Sequence, residues 1–284
     1  MSESSAPITF VTFYLDVTDQ TMATIHETTS TITVTEPHRY IHTMFASAAR
    51  VHPDCRLVIL SDQHTRFPPH PAAEIIRYEL DPKNPMMSRS IAWLNYLRRA
   101  DGHTIFLDSD ILINGDLSHI FADDFAVCFT YRDGDAKWPI NAGINFAHGR
   151  HLANAADFHA RWLERYRAAH HDYSVWGGDQ DTLRELFAAV DFAREELFTQ
   201  PFGDFDIRFI PCAIYNFSTK IAEDMNGHYP DARVLHFKGR RKPFMLPYWR
   251  NHIVNDVGRS AVSVGGQCLR DLRAPSGRPK EYRK

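Results

Sequence analysis

Short apolar runs alternate along the chain with segments whose apolar residues recur at helical spacing. The β-branched and aromatic run over 8–15 predicts a buried first strand. Pro37 fits the first turn of a helix, and the apolar residues behind it share one face: Ile41, Met44, Phe45, Ala48 and Ala49. By the same criteria, further strands are predicted at 56–60, 74–80, 104–107, 125–131, 143–147 and 233–237, and further helices from 85, over 152–166 and over 183–190.

Strands that alternate with helices over about 250 residues predict an α/β fold, in which helices flank both faces of a mostly parallel sheet. No shift in composition marks a boundary inside this stretch, so we expect a single domain over 1–250 and a tail over 251–284. The Thr-rich segment 16–35 has few large apolar residues and is predicted to be a loop or a hairpin.

Composition is typical of a globular protein: of the 284 residues, 44% are hydrophobic and 24% are charged. No apolar run approaches the roughly 18 residues of a membrane-spanning helix, and the first residues lack the pattern of a secretory signal. The four cysteines are far apart and form no C-x-x-C pair, which favours reduced thiols over a disulfide framework or a zinc site. These features predict a cytoplasmic protein.

Charge is distributed unevenly along the chain. The net charge of −3 disfavours a nucleic-acid binder. The tail over 251–284 is basic, because it has seven lysines and arginines against three acidic residues. Such a tail predicts weak, salt-sensitive contact with an anionic membrane, at its inner face for a cytoplasmic protein. A tail that is only solvated explains the same composition.

The segment IFLDSDIL carries the sharpest chemical signal. Its apolar residues predict that Asp108 and Asp110 follow directly on a strand, at the edge where open α/β sheets bind ligands. On an extended strand the two side chains point the same way, with α-carbons about 7 Å apart, and at a strand end they can converge on one ion. Carboxylate oxygens suit Mg²⁺ or Mn²⁺, which keep open positions for phosphate oxygens. An acidic surface turn is the alternative.

Two further segments combine polar residues with glycine. In VLHFKGRRKP, His236 is predicted to lie on a strand, although a lone histidine is more often a core residue. Gly239 permits close approach of the backbone, and Lys242 can neutralise a phosphate. NAGIN places Asn141 and Ala142 just before a predicted strand, which suits either a sugar lying against the backbone or an ordinary turn.

The segment WGGDQDTL predicts a helix that starts behind a glycine turn. Asp179 is a candidate cap for this helix. Alternatively, Asp179 and Gln180 face the same pocket as the other polar segments.

Taken together and in this order, these segments make the chain resemble the retaining glycosyltransferases that include glycogenin and the bacterial lipooligosaccharide galactosyltransferases. The resemblance covers about residues 8–245 and rests on SRSIAW, FLDSD, NAGIN, GDQDTL and HFKGRRKP. It implies a GT-A fold, a UDP-sugar donor (most often UDP-glucose or UDP-galactose) and a divalent cation, usually Mn²⁺. It also implies that the sugar passes to a saccharide or lipid-linked acceptor.

The resemblance assigns roles to individual residues. The family's metal ligands match Asp108, Asp110 and His236, and its diphosphate contacts match Gly239 and Lys242. The residues near the donor sugar match, in chain order, Arg89, Asn141, Ala142, Asp179 and Gln180, of which the last lies near the reacting carbon.

The chain departs from the family pattern in three places. Arg89 stands where lysine is commoner, and Phe244 stands where the family has tryptophan. A Thr-rich insertion after the first strand replaces the usual short polar turn. The resemblance assigns the contact to the nucleobase to Tyr14, Leu15 or Asp16, next to this departure.

Because Gln180 is a poor nucleophile, the resemblance favours front-face attack by the acceptor hydroxyl, with the departing phosphate taking its proton. Asp179 as an intermittent nucleophile is the alternative.

Two rival functions remain open from the residues alone. One is a phosphohydrolase with a strand-terminal D-x-D, although that motif normally opens its domain. The other is a sugar-nucleotide-binding protein without activity, although Asp108, Asp110, His236 and Lys242 are all intact.

Overall fold

Strands and helices alternate in the computed structural model, which describes residues 7–255 except 18, 29–33, 35, 69, 71, 136 and 170–176. Within these residues the strands are β1 Ile8–Phe13, β2 Arg56–Ser61, β3 Ala73–Arg77, β4 His103–Leu107, β5 Ile111–Ile113, β6 Val127–Tyr131, β7 Ile140–Ala147, β8 Phe198–Phe202, β9 Phe205–Pro211 and β10 Val234–His236. The α-helices are α1 Asp19–Thr28, α2 Pro37–Val51, α3 Pro85–Leu97, α4 Leu152–Ala169, α5 Gly178–Leu186, α6 Cys212–Tyr215 and α7 Met245–Tyr248.

Eight strands form one sheet in the order β3-β2-β1-β4-β7-β6-β9-β8. Six of them run in the same direction, and β7 and β8 run against it. The two short strands β5 and β10 pair with each other in a separate antiparallel sheet. The carboxyl ends of the parallel strands therefore meet at one edge, where ligands of such sheets bind.

Alternate residues of the central strands pack on opposite faces of the sheet, as the two-residue period of a strand requires. Phe10 and Ile105 belong to a core shared with α2, whereas Val11 and Phe106 belong to a second core under α3, α4 and α5. Because both faces are covered, the central strands read as continuous apolar runs.

The predicted fold class is confirmed: the chain has an α/β fold with a mostly parallel sheet flanked by helices in a single domain. The predicted division into a domain over 1–250 and a tail over 251–284 stays a prediction. A π-helical turn over Trp249–Val254 continues α7 across that boundary, and residues 256–284 lie outside the described part of the chain. None of the described helices is both long and apolar enough to cross a membrane.

The prediction of a loop or hairpin over 16–35 is wrong for ten of these residues, which form α1. The segment is poor in large apolar residues, but Ile25 is 5% exposed and gives the helix an anchor in the fold. A buried apolar residue can stabilise a helix whose local sequence pattern is weak, because most helical stability comes from tertiary packing.

The core between the sheet and α4 yields a prediction about stability. Phe129 on β6 is fully buried, with ring centroids 5.5 Å from Phe158 and 5.8 Å from Trp162. Phe129→Ala leaves a cavity among these rings and should lower the free energy of unfolding by about 3–5 kcal/mol. Urea denaturation followed by circular dichroism measures this change.

Ile221→Ala is the control, because Ile221 is 59% exposed and its truncation should change stability by less than about 0.5 kcal/mol. Equal losses in the two variants would contradict the assignment of the core.

Candidate active site

The two aspartates of the D-x-D segment stand in a turn between β4 and β5. β4 ends at Leu107, and the backbone amide of Asp108 donates to the carbonyl of Gly143 on the neighbouring strand β7, at 2.8 Å. Asp110 is 7% exposed and directly precedes β5. The turn is therefore anchored to two strands at the carboxyl edge of the sheet, which holds both carboxylates at fixed positions.

The pairing of β5 with β10 brings His236 to these carboxylates. In this antiparallel pair His236 lies opposite Ile111, and the amide of Phe237 donates to the carbonyl of Asp110 at 2.8 Å. The imidazole Nε2 lies 3.3 Å from Oδ1 of Asp110 and 3.7 Å from Oδ2 of Asp108. The structure thus brings together the three predicted metal ligands, and one potential ligand atom from each lies within 4.8 Å of the other two.

Asn216, which follows α6, orients the imidazole of His236. Nδ1 of His236 lies 2.8 Å from Oδ1 of Asn216, and the amide of Asn216 donates in turn to Oγ1 of Thr130 at 2.7 Å. The amide oxygen of Asn216 accepts from Nδ1, and this hydrogen bond turns Nε2 toward the two aspartates. Sequence reasoning missed Asn216, which stands in a glycosylation-like tripeptide and shows its role only through contacts with distant residues.

Gly143 leaves the space that His236 and Asp108 occupy. A Cβ atom built on Gly143 would lie 2.5 Å from Cε1 of His236 and 2.9 Å from Oδ2 of Asp108. Real Cβ atoms do not approach other atoms so closely, so this position on β7 excludes any side chain. Sequence reasoning treated this glycine only as part of the NAGIN segment.

The two carboxylates differ in their affinity for protons. Burial alone would raise the pKa of Asp110, but Lys242 and His236 outweigh it and hold this pKa below its usual range. For Asp108, burial prevails over the opposing charges of Arg89 and His236 and raises the pKa. Like charges this close resist simultaneous ionisation, and a divalent cation between them would remove that conflict.

Arg89, on α3, joins Asp108 to Asp179. Its guanidinium donates to Oδ1 of Asp108 at 2.6 Å and to Oδ2 of Asp179, and it lies over the ring of Trp93, 4.6 Å from the centroid. Gly177, with a φ of 92°, is the N-cap of α5 and no side chain caps this helix, so the capping role considered for Asp179 is wrong. The carboxylate of Asp179 is instead used in this buried ion pair.

Two oxygen atoms at the start of α5 are buried without a protein partner among the described residues. They are Oδ1 of Asp179 and Oε1 of Gln180. A buried acceptor without a hydrogen bond costs about 1–3 kcal/mol, so such atoms indicate that water or a ligand supplies the missing donors.

Lys242 and Gly239 lie on the short 3₁₀-helix Gly239–Phe244 that follows β10. The ammonium group of Lys242 is 3.5 Å from Oδ2 of Asp110, and its side chain is 22% exposed. Gly239 has a φ of 58°, a left-handed conformation that favours glycine. The structure therefore places a cation directly beside the metal-ligand cluster, at the residue predicted to neutralise a phosphate.

Asn141 and Ala142 do not stand in a turn before a strand, and this expectation is wrong. β7 begins at Ile140, because the register shift between Phe129 and Thr130 of β6 lets Asn141 pair with Thr130. The side chain of Asn141 accepts from the amide of Gly143 at 2.8 Å. Its role toward a sugar stays a prediction.

Asp16 follows β1, the strand beside β4, and its side chain is exposed. The hydroxyl of Tyr14 donates to this carboxylate at 3.2 Å, and the amide of Asp16 donates to Oγ1 of Thr65 at 2.8 Å. Asp16 thus lies at the same edge of the sheet but on a different strand from the metal-ligand cluster. A contact to a nucleobase stays a prediction.

Comparisons with known proteins give similarity at the level of structure. No family model matches the chain, and no curated protein matches its sequence. The solved structures it is similar to include the glycosyltransferase GlyE of Streptococcus pneumoniae TIGR4, with 15% identity, a TM-score of 0.48 and coverage of 85% of this chain and 56% of that one. The chain thus spans little more than half of the length of GlyE.

Two further solved structures match more of their own length. A glycosyltransferase involved in the glycosylation of the major capsid of PBCV-1 shows 15% identity and a TM-score of 0.49, over 84% of this chain and 98% of that one. The galactosyltransferase LgtC, in complex with donor and acceptor sugar analogs, shows 14% identity and a TM-score of 0.44, over 94% of this chain and 100% of that one. With TM-scores below 0.5, these likenesses carry no argument about the function of this chain.

Gly143→Ala tests whether the three ligands form one metal site. The added methyl group pushes His236 away from Asp108. Because the cation then loses one of its three protein ligands, the affinity for Mn²⁺ should fall at least about tenfold. Isothermal titration calorimetry with Mn²⁺ measures the affinity, and circular dichroism checks the fold.

Gly115→Ala is the matched control, since the nearest contact of a Cβ at that position is the flexible side chain of Arg233, at 3.2 Å, and the backbone of Arg233 lies at an ordinary 3.6 Å. This variant should bind Mn²⁺ as the unmodified protein does. A folded Gly143→Ala protein with unchanged affinity would show that His236 is not a ligand.

Proposed function

We propose that this chain is a metal-dependent retaining glycosyltransferase that transfers a hexose, glucose or galactose, from a UDP-sugar to a saccharide or lipid-linked acceptor. The observation that carries the proposal is the convergence of Asp108, Asp110 and His236, with Lys242 against Asp110, at the ligand-binding edge of the sheet. These residues come from distant parts of the chain, and no packing requirement explains why two carboxylates should face each other there.

The donor set fits a divalent cation. Two carboxylates and an imidazole suit Mn²⁺. Mg²⁺ prefers oxygen ligands, so it suits the two carboxylates but not the imidazole. Gly143 keeps side-chain atoms out of the space beside His236 and Asp108, and Asn216 orients the imidazole of His236. Bound there, such a cation would act as a Lewis acid on the departing diphosphate.

The remaining charges of the site suit a UDP-sugar. Lys242 adds fixed positive charge where the diphosphate would gain negative charge, and preorganised charge of this kind is usually the largest catalytic contribution. Oδ1 of Asp179 and Oε1 of Gln180 offer free acceptors to sugar hydroxyls. Arg89 pairs with Asp179 and holds its carboxylate in place, so it acts as a positioning residue for the donor sugar.

The side chains near the reacting carbon favour direct, front-face attack. Gln180 carries an amide, which is a poor nucleophile, and Asp179 is 1% exposed and paired with Arg89. The acceptor hydroxyl would then attack from the side that the diphosphate leaves, and the departing phosphate oxygen would take its proton. The configuration at the anomeric carbon is retained in such a reaction.

Asp110→Asn is the first test of this function. The substitution preserves shape but removes a carboxylate charge, so the Mn²⁺-dependent release of UDP from UDP-glucose or UDP-galactose should fall about a hundredfold or more. A coupled assay for UDP measures the rate, and thermal unfolding shows whether the variant folds.

The control variant is Asp54→Asn, because Asp54 is exposed and precedes β2 at the opposite edge of the sheet. It should release UDP at the normal rate. Release that is independent of Mn²⁺, or equal in the Asp110→Asn and Asp54→Asn proteins, would refute the metal assignment.

Proton NMR of the sugar first released from UDP-glucose tests the stereochemistry. Retention yields the α-anomer before it equilibrates in solution, and mass spectrometry of the protein should show no sugar on Asp179 or Gln180. Initial release of the β-anomer would contradict a retaining mechanism. A glycosyl adduct on either residue would replace front-face attack by a double displacement.

A further inference from the structure

A buried chain of hydrogen bonds leads away from the metal-ligand cluster. It runs from the imidazole of His236 through the side chains of Asn216 and Thr130 to the backbone carbonyl of Asn141 on β7. We call these four residues the Thr130 relay. Each of them is at most 4% exposed, so the relay is shielded from bulk water. The partners inside the protein therefore decide which atom of each link donates and which accepts.

The direction of the relay is set at its last link. A backbone carbonyl can only accept, so the hydroxyl of Thr130 donates its single hydrogen to the carbonyl of Asn141, at 3.1 Å. The oxygen of Thr130 then has only lone pairs to offer to Asn216. Thr130 therefore accepts a hydrogen from the amide nitrogen of Asn216, at 2.7 Å.

The amide of Asn216 has two orientations, which exchange its oxygen and its nitrogen and put the hydrogen of a neutral His236 on different ring atoms. With the oxygen toward Nδ1, at 2.8 Å, Nδ1 carries the hydrogen and Nε2 keeps its lone pair. With the nitrogen toward Nδ1, the hydrogen moves to Nε2, which lies 3.3 Å from Oδ1 of Asp110. Only the first orientation leaves Nε2 able to bind a cation.

The thiol of Cys212 also lies within hydrogen-bonding reach of Thr130. Burial raises the pKa of Cys212, so the group stays a thiol, and a thiol sulfur accepts hydrogen bonds more weakly than a carbonyl oxygen does. The thiol can instead donate to the second lone pair of Thr130. The hydrogen of Thr130 thus stays with Asn141, and the nitrogen of Asn216 stays toward Thr130.

The fold holds Thr130 where β6 and β7 change their pairing. The register shifts between Phe129 and Thr130, so that Thr130 lies opposite Asn141. Gly143, which leaves space for His236, falls within this shift. The irregularity that presents a glycine to the metal ligands therefore also places the carbonyl of Asn141 beside Thr130.

We propose that Thr130 is a positioning residue that determines which nitrogen of His236 is free to bind the cation. This inference rests on the proposed function, because it concerns the same metal site, and it adds a residue that touches neither the cation nor the substrate. The hydroxyl of Thr130 selects the orientation of the Asn216 amide, and that amide selects the tautomer of His236. Removing an outer partner of a metal-ligating histidine typically lowers metal affinity about 10- to 100-fold.

Thr130→Val and Thr130→Ser separate the hydroxyl from the shape of the side chain. Valine keeps the shape but has no oxygen, so the amide of Asn216 can turn and the affinity for Mn²⁺ should fall about tenfold or more. Serine keeps the hydroxyl, and the affinity should stay within about twofold of that of the unmodified protein. Isothermal titration calorimetry of the full chain measures the affinity, and circular dichroism checks the fold. Unchanged affinity in a folded Thr130→Val protein would overturn the proposal.

Thr104→Val is the matched control. Thr104 is also a buried strand residue whose hydroxyl donates to a backbone carbonyl, that of Gly102 at 3.3 Å. It stands near the amino end of β4, whereas the metal ligands lie beyond the carboxyl end. Thr104→Val should bind Mn²⁺ as the unmodified protein does. Equal losses in Thr104→Val and Thr130→Val would assign the effect to stability alone and contradict a positioning role.

Asn216→Asp tests whether Thr130 acts through the amide. An ionised carboxylate has acceptor oxygens only, so it requires a hydrogen on Nδ1 of His236 whatever residue stands at position 130. Thr130→Val should therefore lower the affinity for Mn²⁺ in the unmodified protein, but change it by less than about twofold when it is combined with Asn216→Asp. The same tenfold loss in both backgrounds would show that Thr130 does not act through Asn216.

Nitrogen NMR of the metal-free protein at alkaline pH observes the tautomer directly and needs no variant that must bind metal. The resonances of His236, identified by their loss in His236→Gln, should show the hydrogen on Nδ1 in the unmodified protein. In Thr130→Val a population with the hydrogen on Nε2 should appear.

The NMR result also separates this inference from the proposed function. A hydrogen on Nε2 of His236 in the unmodified protein would overturn the role of Thr130, even in a protein that binds Mn²⁺ and turns over UDP-sugars. The expected tautomer in a protein that binds neither Mn²⁺ nor UDP would refute the proposed function and leave the action of Thr130 on His236 in place.

Discussion

The antiparallel pairing of β5 with β10 is the contact on which the candidate site depends. Each strand has three residues, and their pairing brings Asp110, just before β5, close to His236 on β10 across a long separation in the chain. All six residues are buried, so the pair is fixed by the core beneath it. A carboxylate and an imidazole held on rigid strands keep their separation without a ligand, which is the condition for a preorganised metal site.

Compensation of buried charge organises the rest of the site. Three acidic side chains, Asp108, Asp110 and Asp179, lie close together in a region of low exposure, and Arg89 and Lys242 pair with them. Because Arg89 contacts two of these carboxylates, it connects the metal ligands to the residues assigned to the donor sugar.

The sequence predicts the sheet and the order of its elements well, because strands covered on both faces appear as apolar runs such as IFL before Asp108. It also predicts the metal ligands as candidates, since D-x-D after a strand restricts the chemistry.

The sequence does not predict contacts that only the fold creates. The orienting role of Asn216, the space kept by Gly143 and the pairing of Arg89 with Asp108 all join residues that are distant in the chain. The helix α1 was missed because its anchor in the core, Ile25, is a single residue.

The central claim is that Asp108, Asp110 and His236 hold one divalent cation that meets a diphosphate. The most direct measurement is anomalous X-ray diffraction at the manganese edge from crystals grown with Mn²⁺ and UDP. The account predicts one anomalous peak at about 2.0–2.3 Å from a ligand atom of each of these three residues, with phosphate oxygens of UDP completing the coordination and Lys242 beside them. Well-ordered UDP with no peak at these residues, or with the peak at another group of ligands, would contradict it.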